Sequence, residues 1–329
     1  MDKELLTEDF NYDLPEELIA SMPKKDRCGS RMMVIDRSSG EISCRRFEDF
    51  KDYIGKDDIC VLNDTKVVPS RFFNDDGKIE IIRLEEPESN VWKCLVRPGK
   101  KMRVGNIINI AGVNGTVEKI LPDGERMIRF ANPIDIERNG ELALPHYMKR
   151  DAEPVDKKRY QTVYAKNPGA IAAPTAGLHF TSELIETIPH TFITLHVGVG
   201  TFQPVRSDRI VDHKMHSEKY HLSESSALAI NSAKRKIAVG TTVTRVLEHL
   251  SLDKTSKIKS SSGETNIFIY PGHRFLGIDA LLTNFHLPKS TLFMLVCALA
   301  GTDLMKEAYR RAVLEKFSFF SYGDCCLII

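Results

Sequence analysis

Five short β-like segments lie between residues 68 and 156, and their alternation with turns constrains the fold more than any other feature of the chain. The segments are KIEIIRL, VWKCLVR, NIINI, TVEKIL and RMIRF, and the turn sequences around them are DDGK, RPGKK, AGVNG, LPDGE and RNGE. Short strands at this spacing, separated by glycine turns, are typical of a small β-barrel or sandwich. No amphipathic helix of useful length fits between them. We therefore expect residues 68–156 to form a small β-barrel domain.

Both flanks of this region alternate strand-like and helix-like segments. The strand-like segments are MMVIDR and ICVLND before it, and TFITLHV, KIAVGT, NIFIY and ALLTNF after it. Ser223 and Asp303 are expected to cap the helices SSALAINSAK and LMKEAYRRAVLEKF. This alternation favours an α/β domain. Residues 1–67 and 157–329 are thus expected to form one discontinuous α/β domain that carries the β-barrel as an insertion, with a mobile loop at 254–264.

Composition excludes several classes of protein. Lys and Arg number 46 and Asp and Glu 45, so any RNA-binding surface must be a local patch. The acidic N-terminus is not a signal peptide, and the longest apolar run, 291–301, is too short to span a bilayer and predicts a buried strand or helix. Seven scattered cysteines without a CxxC pair predict free thiols in the cytoplasm. Dinucleotide-binding, P-loop and α/β-hydrolase motifs are absent from the sequence.

Two histidines lie in glycine-rich and threonine-rich segments where a simple core segment would carry leucines. His179 is in AAPTAGLHFT and His196 is in TLHVGVGTF. Glycine permits close approach of the backbone to a ligand, and proline removes a donor. These segments predict an active-site wall, and the alternative is two irregular loops with satisfied histidines. The candidate substrate-binding residues in them are Thr175, Gly177, Gly198, Gly200 and Thr201.

A strand-to-helix turn at Gly240, Thr241 and Thr242 is a candidate anion site. Free N–H groups, hydroxyls and the helix dipole at such a turn suit a carboxylate or a phosphate. Its alternative is an ordinary helix cap. Arg245 and Glu248 follow at i,i+3 spacing, and their plainest interpretation is a surface salt bridge.

Three further polar segments carry candidate residues. HKMHSEKY supplies His213, His216 and Glu218, which suit acid–base work better than metal binding because no third ligand follows at regular spacing. VLNDTKVVPSR ends a buried strand in Asp64 and Lys66, a position where α/β folds bind ligands. NFHLPKSTL places a histidine and a lysine beside a proline at an expected pocket mouth, namely His286 and Lys289.

Basic residues cluster on a predicted turn of the β-barrel. They are Arg97, Lys100, Lys101 and Arg103 in RPGKKMR. Arg and Lys on a β-barrel face suit phosphate contacts with RNA, and the alternative is a solvated charged face.

The ordered motifs together resemble the S-adenosylmethionine:tRNA ribosyltransferase-isomerase family of queuosine biosynthesis. The resemblance runs through FNYDLPEELIA, SRMMVIDR, VLNDTKVVPSR, LVRPGKK, RYQTVYAK, AAPTAGLHFT, TLHVGVGTFQPV, HKMHSEKY, IAVGTTVTR, NFHLPKSTL and FFSYGD. It implies a barrel-like α/β catalytic domain with an inserted β-barrel. It also implies transfer and isomerisation of the ribosyl moiety of S-adenosylmethionine onto 7-aminomethyl-7-deazaguanine at the wobble position of a tRNA with a GUN anticodon. Epoxyqueuosine-tRNA, adenine and methionine are the implied products, and S-adenosylmethionine is a consumed substrate rather than a cofactor.

That chemistry needs proton transfers, which imidazoles with pKa values near neutrality perform well. His179 and His196 are the expected catalytic residues, with His216, Glu218 and His286 in support. The turn at Gly240–Thr242 together with Arg245 is the expected site of the methionine carboxylate. We expect a monomer without a bound metal or cofactor. The competing hypotheses are a non-catalytic RNA-binding protein and a metal-assisted hydrolase that uses His213 and His216.

Overall fold

The computed structural model describes residues 4–198, 200, 205, 207–252 and 257–329. Its strands, numbered in chain order, are β1 Arg31–Ile35, β2 Ile42–Arg46, β3 Asp58–Asn63, β4 Thr65–Val67, β5 Arg71–Phe73, β6 Glu80–Glu88, β7 Val91–Arg97, β8 Ile107–Ile110, β9 Val113–Ile120, β10 Arg126–Phe130, β11 Asn167–Ala170, β12 His190–Leu195, β13 Glu218–Leu222, β14 Arg235–Val239, β15 Ser261–Thr265, β16 Ala280–Asn284 and β17 Cys325–Ile328. The α-helices are α1 Ile136–Asn139, α2 Pro154–Arg159, α3 Ser182–Glu186, α4 Glu224–Ser232, α5 Thr241–Leu250, α6 Thr291–Ala300 and α7 Thr302–Leu314.

The larger sheet has nine strands in the order β15-β13-β12-β3-β14-β16-β17-β1-β2. Its four central strands β12, β3, β14 and β16 run parallel, whereas β17 and β1 run the opposite way. The carboxyl ends of the four parallel strands therefore meet at one edge of the sheet, where α/β proteins commonly bind ligands.

An apolar cluster covers each face of this sheet. Neighbouring residues of one strand belong to different clusters, because successive side chains point to opposite sides. Val61 of β3 contributes to the apolar cluster that contains α5, α6 and α7 residues. Its neighbour Leu62 contributes to the cluster on the other face, which includes Phe47, Phe180 and Leu184. These two layers confirm a mixed α/β fold built from both flanks of the chain.

The second sheet is antiparallel, with six strands in the order β5-β6-β7-β10-β9-β8. The five predicted segments from KIEIIRL to RMIRF form its strands β6 to β10. The sheet curves around its own apolar core, with Trp92 at 2% exposure against Phe72 and Phe130. Its two end strands are linked where the Asp75 amide donates to the Asn109 carbonyl at 3.0 Å. The barrel forms of the two sheets, and the domain boundaries at 67/68 and 156/157, stay predictions.

Two sequence-based predictions of local structure are wrong. NIFIY is not a strand; instead the edge strand β15 covers Ser261–Thr265, which overlaps the predicted mobile loop, because these residues pair with β13. Asp303 does not cap α7, which begins after Gly301 at φ 90°.

Two other predictions of local structure are confirmed. Ser223 does cap α4, its hydroxyl accepting from the Ser226 amide. The apolar run at 291–301 forms the buried helix α6, and no helix among the described residues is long and apolar enough to cross a membrane.

Candidate active site

Two cavities adjoin at the carboxyl edge of the four parallel strands. The large cavity has a volume of about 910 Å³ and lies between the nine-stranded sheet and the six-stranded sheet. The small cavity has a volume of about 40 Å³ and lies at the N-terminus of α5. Val197 lines both, and the first two residues of α6, Thr291 and Leu292, line one cavity each.

The large cavity brings together six of the residues predicted from sequence. They are His196, Gly198, Gly200, His216, Glu218 and Arg245. The six-stranded sheet supplies the facing wall, which includes Arg83, Glu85, Lys93 and Glu125. Lys219 of β13 and Glu85 of β6 form an ion pair of 3.1 Å across the cavity, so the two sheets are also linked by charge.

His196 is held in one orientation at the wall of the large cavity. Its Nδ1 lies 2.8 Å from the hydroxyl of Thr65, and a Cβ at Gly169 would come within 2.8 Å of the ring. Burial lowers the pKa of His196 below its usual 6.5, opposed by the nearby Asp64 carboxylate. No described residue bonds to Nε2, so a neutral ring that donates through Nδ1 to Thr65 presents an Nε2 lone pair to a ligand. Thr65 belongs to the polar strand end that the sequence indicated, whereas sequence analysis did not identify Gly169, which also lies in a polar segment next to the site.

Glu218 and Arg245 form a buried ion pair. Their side chains are 5% and 4% exposed, and the Glu218 carboxylate also accepts from the Gly198 amide at 3.3 Å. Arg245 Nε donates to the Ile267 carbonyl at 3.1 Å. This bond connects the backbone of the NIFIY segment to α5. The predicted surface bridge between Arg245 and Glu248 is therefore wrong.

Glu248, near the C-terminal end of α5, binds backbone amides instead of Arg245. Its carboxylate accepts from the amides of Leu276, Gly277 and Ile278 at 3.0, 2.8 and 3.1 Å, and His273 Nε2 lies 3.0 Å away. Glu248 thus fixes the loop that leads into β16.

His216 is exposed at the edge of the large cavity, and His213 lines the same cavity. Gly200 lies against the His216 ring, since a Cβ there would approach it to 2.5 Å. The described residues contain no group of three His, Cys, Asp or Glu side chains arranged to hold a metal ion. Thr201 lies outside the described residues.

The small cavity gathers another set of predicted residues at the N-terminus of α5. They are Thr175, Gly240, Thr241, Thr242 and His286. His286 is buried, its Nε2 lies 3.0 Å from the Thr283 hydroxyl, and burial lowers its pKa to about 3. Arg245 lines the large cavity and not this one, so the structure separates it from the Gly240–Thr242 turn with which it was grouped.

His179 lines neither cavity. It is buried, its Nδ1 lies 3.0 Å from the Ser30 hydroxyl, and its Nε2 lies 3.1 Å from the Asn284 amide nitrogen. Burial lowers its pKa to about 4. Both ring nitrogens are therefore occupied by protein groups, which is the arrangement of a satisfied core histidine.

Asp64 and Gly177 also lie away from both cavity walls. The Asp64 carboxylate accepts from the Thr194 hydroxyl at 2.6 Å and from the Asn167 amide at 3.0 Å, which connects β3, β11 and β12. Gly177 packs against the Tyr164 hydroxyl, leaving no room for a Cβ. Their contacts are those of packing residues.

Lys66 and Lys289 likewise line neither cavity. Lys66 is exposed. The Lys289 ammonium lies 2.6 Å from the Glu8 carboxylate. Neither lysine therefore contributes to a cavity wall at this edge of the sheet.

The basic cluster Arg97, Lys100, Lys101 and Arg103, called here the basic patch, is exposed on the six-stranded sheet. None of the four forms an ion pair with a described residue. Arg97 and Lys93 lie on the same face of β7, because alternate residues of a strand share a face. Four residues of strand separate them by about 13 Å, so the basic patch begins near the cavity wall to which Lys93 belongs.

Comparison with known proteins defines the class to which this fold and site belong. Residues 7–328 match the family model described as queuosine biosynthesis protein, and the chain belongs to that family. Relatives from Trichlorobacter lovleyi and Halothermothrix orenii are 45% and 46% identical over 99% and 98% of this chain and 100% and 99% of their own. Both are named S-adenosylmethionine:tRNA ribosyltransferase-isomerase. The crystal structure of the S-adenosylmethionine tRNA ribosyltransferase from Thermotoga maritima is 34% identical, with a TM-score of 0.57 over 98% of this chain and 100% of that one.

Proposed function

We propose that this protein is the transferase of its family and acts on the same two substrates as its named relatives. It transfers the ribosyl moiety of S-adenosylmethionine to 7-aminomethyl-7-deazaguanine at the wobble position of a tRNA with a GUN anticodon, and isomerises it. The products are epoxyqueuosine-tRNA, adenine and methionine. S-adenosylmethionine is consumed, so the reaction needs no separate cofactor. We further propose that the enzyme works as a monomer in the cytoplasm.

The observation that carries the proposal is the composition of the large cavity. One wall presents His196, which follows β12, Glu218 of β13 and Arg245 of α5, and the other comes from the six-stranded sheet that bears the basic patch. A reaction between a small sulfonium compound and a large polyanion needs both walls. The cavity is large enough for a nucleoside and a nucleobase together, since ligand pockets of about 300–1,000 Å³ hold molecules of that size.

The charges of the large cavity favour a cationic ligand. Six carboxylates and four cationic side chains line it: Glu85, Glu86, Asp123, Glu125, Glu218 and Glu264, against Arg83, Lys93, Lys219 and Arg245. An excess of negative charge stabilises a sulfonium and the aminomethyl ammonium of the tRNA base. Binding both cations in one cavity places donor and acceptor next to each other.

His196 is the best general base in this cavity. The proton next to a sulfonium is acidified by the positive charge, and a neutral imidazole with a free Nε2 can remove it. Glu218 and His216 line the same cavity, which supports the proposal that they hold the amine and exchange its proton with solvent. The contacts of His179 support a structural role instead.

The deciding experiment incubates the protein with S-adenosylmethionine and tRNA bearing the aminomethyl-deazaguanine base. We expect free adenine and methionine in amounts equal to the modified tRNA formed. The control is the same tRNA transcript with guanine at the wobble position, which should release neither. If no adenine appears with either tRNA while the modified tRNA binds, the protein is a non-catalytic tRNA-binding protein and the proposal fails.

A further inference from the structure

The N-terminus of α5 presents unused hydrogen-bond donors to the small cavity. Gly240 precedes the helix at φ 98° and has no side chain that could cap it. Among the described residues, no acceptor bonds to the amides of Thr241, Thr242 or Val243. Helix α5 has ten residues. Its N-terminus presents free N–H groups and a partial positive charge, which together suit an anion.

A second, independent group in the same cavity also lacks a partner. Asn284 lines the cavity at 2% exposure, and no donor from the described part of the chain bonds to its Oδ1. The orientation of the amide is fixed, because Nδ2 donates to the Phe320 carbonyl at 3.1 Å, which can only accept, and its second proton is shared between His179 Nε2 at 3.1 Å and the Asp324 carbonyl at 3.4 Å. Oδ1 is therefore a buried acceptor that needs a donor, and such groups are costly to leave unpaired.

We propose that the small cavity binds the α-amino-acid end of S-adenosylmethionine, with the carboxylate on the free amides of α5 and the ammonium donating to Asn284 Oδ1. The inference rests on the proposed function, because it takes S-adenosylmethionine as the substrate. It assigns Asn284 Oδ1 as the acceptor for the ammonium. It also excludes Arg245 from the carboxylate site. No other part of the substrate offers an anion and a donor two bonds apart.

Size and position agree with this assignment. A volume of about 40 Å³ holds about three water-sized groups, which matches two carboxylate oxygens and one ammonium nitrogen. Val197 lines both cavities, so the sulfonium and ribose of the same molecule extend into the large cavity beside His196.

The first test uses the unaltered protein and matched ligands, measured by calorimetry. S-adenosylhomocysteine and 5′-methylthioadenosine are both thioethers and differ only in the amino-acid end. We expect 5′-methylthioadenosine to bind about tenfold or more weakly, and decarboxylated S-adenosylmethionine to bind about tenfold or more weakly than S-adenosylmethionine, because neither can form the charge-assisted hydrogen bonds of the carboxylate. Equal affinities within each pair would refute the assignment, even if adenine release proceeds normally.

The second test places a competing carboxylate in the cavity. Thr242→Asp puts a negative charge on the first turn of α5, which stabilises a helix N-terminus but occupies the anion site. We expect it to weaken S-adenosylhomocysteine binding about tenfold and to leave 5′-methylthioadenosine binding unchanged, while Thr242→Asn, its uncharged match, has a much smaller effect. If the two variants bind S-adenosylhomocysteine equally, the carboxylate binds elsewhere. If the unaltered protein neither binds S-adenosylmethionine nor releases adenine, the proposed function itself fails.

Discussion

At the scale of single residues, His179 and His196 show how burial and partners assign different tasks to the same side chain. Each imidazole has a pKa below its usual value because it is withdrawn from water. His179 uses both ring nitrogens within the protein, whereas His196 uses only Nδ1 and turns its other nitrogen to the large cavity. Accessibility of one nitrogen, and not the pKa alone, is the reason that we propose His196 as the base.

Replacing His196 by alanine should lower kcat for adenine release by a factor of about 10²–10⁴, the usual contribution of a general base. Stopped time courses with saturating modified tRNA measure this. The matched control is His221→Ala on β13, whose ring bonds to the exposed Ser262 hydroxyl and should retain full activity. A His196→Ala enzyme with unchanged kcat would exclude His196 as the base.

The pH dependence of kcat/KM should respond to the charge next to His196. The neutral ring is the base, so activity falls as pH drops through its pKa, which lies below 6.5 because of burial and the Lys219 charge. Lys219→Met removes a positive charge that lowers this pKa, so the acidic limb should move to higher pH. Lys219→Arg keeps the charge and should leave the limb in place. If the acidic limb of the kcat/KM profile does not move in Lys219→Met, a group other than His196 controls the pH dependence.

At the scale of secondary-structure elements, α5 links the two cavities to the loop before β16. Its N-terminus faces the small cavity, Arg245 on its first turns pairs with Glu218, and Glu248 near its end binds three backbone amides of residues 276–278. One helix therefore positions groups for both cavities and anchors β16, which carries Asn284.

Glu248→Gln should destabilise the protein by about 2–3 kcal/mol, because a buried acceptor of three amides loses its charge and presents an NH₂ group to donors. Urea unfolding followed by circular dichroism measures the change. The control is Glu307→Gln on α7, which removes exposed ion pairs with Arg310 and Arg311 and should destabilise the protein far less, because water screens exposed pairs. Equal destabilisation of the two variants would contradict the structural role given to Glu248.

Elements with a clear apolar pattern were predictable from the sequence, and contacts between distant residues were not. Strands β6 to β10 and helices α4 and α7 follow from alternation, turns and helical spacing. Strand β15, with the sequence SSGET, has no such pattern and forms because β13 offers it a free edge. Arg245 and Glu248 have the spacing of a surface pair, yet their partners lie 20 to 30 residues away along the chain.

Contacts between distant residues also limited how much of the candidate site was predictable. Glycines and histidines in unusual segments indicated which stretches of chain form it, and the large cavity contains His196, Gly198, Gly200, His216 and Glu218 as the motifs suggested. The sequence could not separate His179 from His196, because their difference depends on Ser30 and Asn284 in one case and on Thr65 in the other. The same dependence on distant partners hid Asn284 from sequence analysis.

At the scale of the whole molecule, the six-stranded sheet is a second binding wall set against the nine-stranded sheet. Glu85 and Lys219 pair across the cavity between them. Arg97 of the basic patch lies further along the same face of β7, and Lys100, Lys101 and Arg103 follow that strand in the chain. We propose that they contact the phosphates of a tRNA whose wobble base enters the cavity. We therefore propose that the small substrate and the nucleic acid bind mainly to different sheets.

Reversing charge in the basic patch should therefore weaken tRNA binding alone. For the double variant Lys100→Glu and Lys101→Glu we expect about tenfold lower tRNA affinity at low salt. The slope of log affinity against log salt concentration should become shallower by about one for each phosphate that the variant no longer binds. Fluorescence anisotropy with labelled tRNA measures both quantities. Affinity for S-adenosylmethionine should be unchanged.

Lys56→Glu is the matched control for this variant. Lys56 is exposed just before β3, at the sheet edge opposite the cavities, and its reversal should leave tRNA affinity within about twofold. If Lys56→Glu and the patch variant weaken binding equally, tRNA binding follows net charge and the patch has no special role.

The position of β17 has a consequence for how the protein is made. This strand, residues 325–328, lies between β16 and β1 and joins the N-terminal hairpin to the rest of the nine-stranded sheet. The six-stranded sheet is complete once Phe130 has left the ribosome, and it can fold during translation. The hairpin β1–β2 can join the nine-stranded sheet only after almost the entire chain is made, so the six-stranded sheet can form long before the larger sheet is complete.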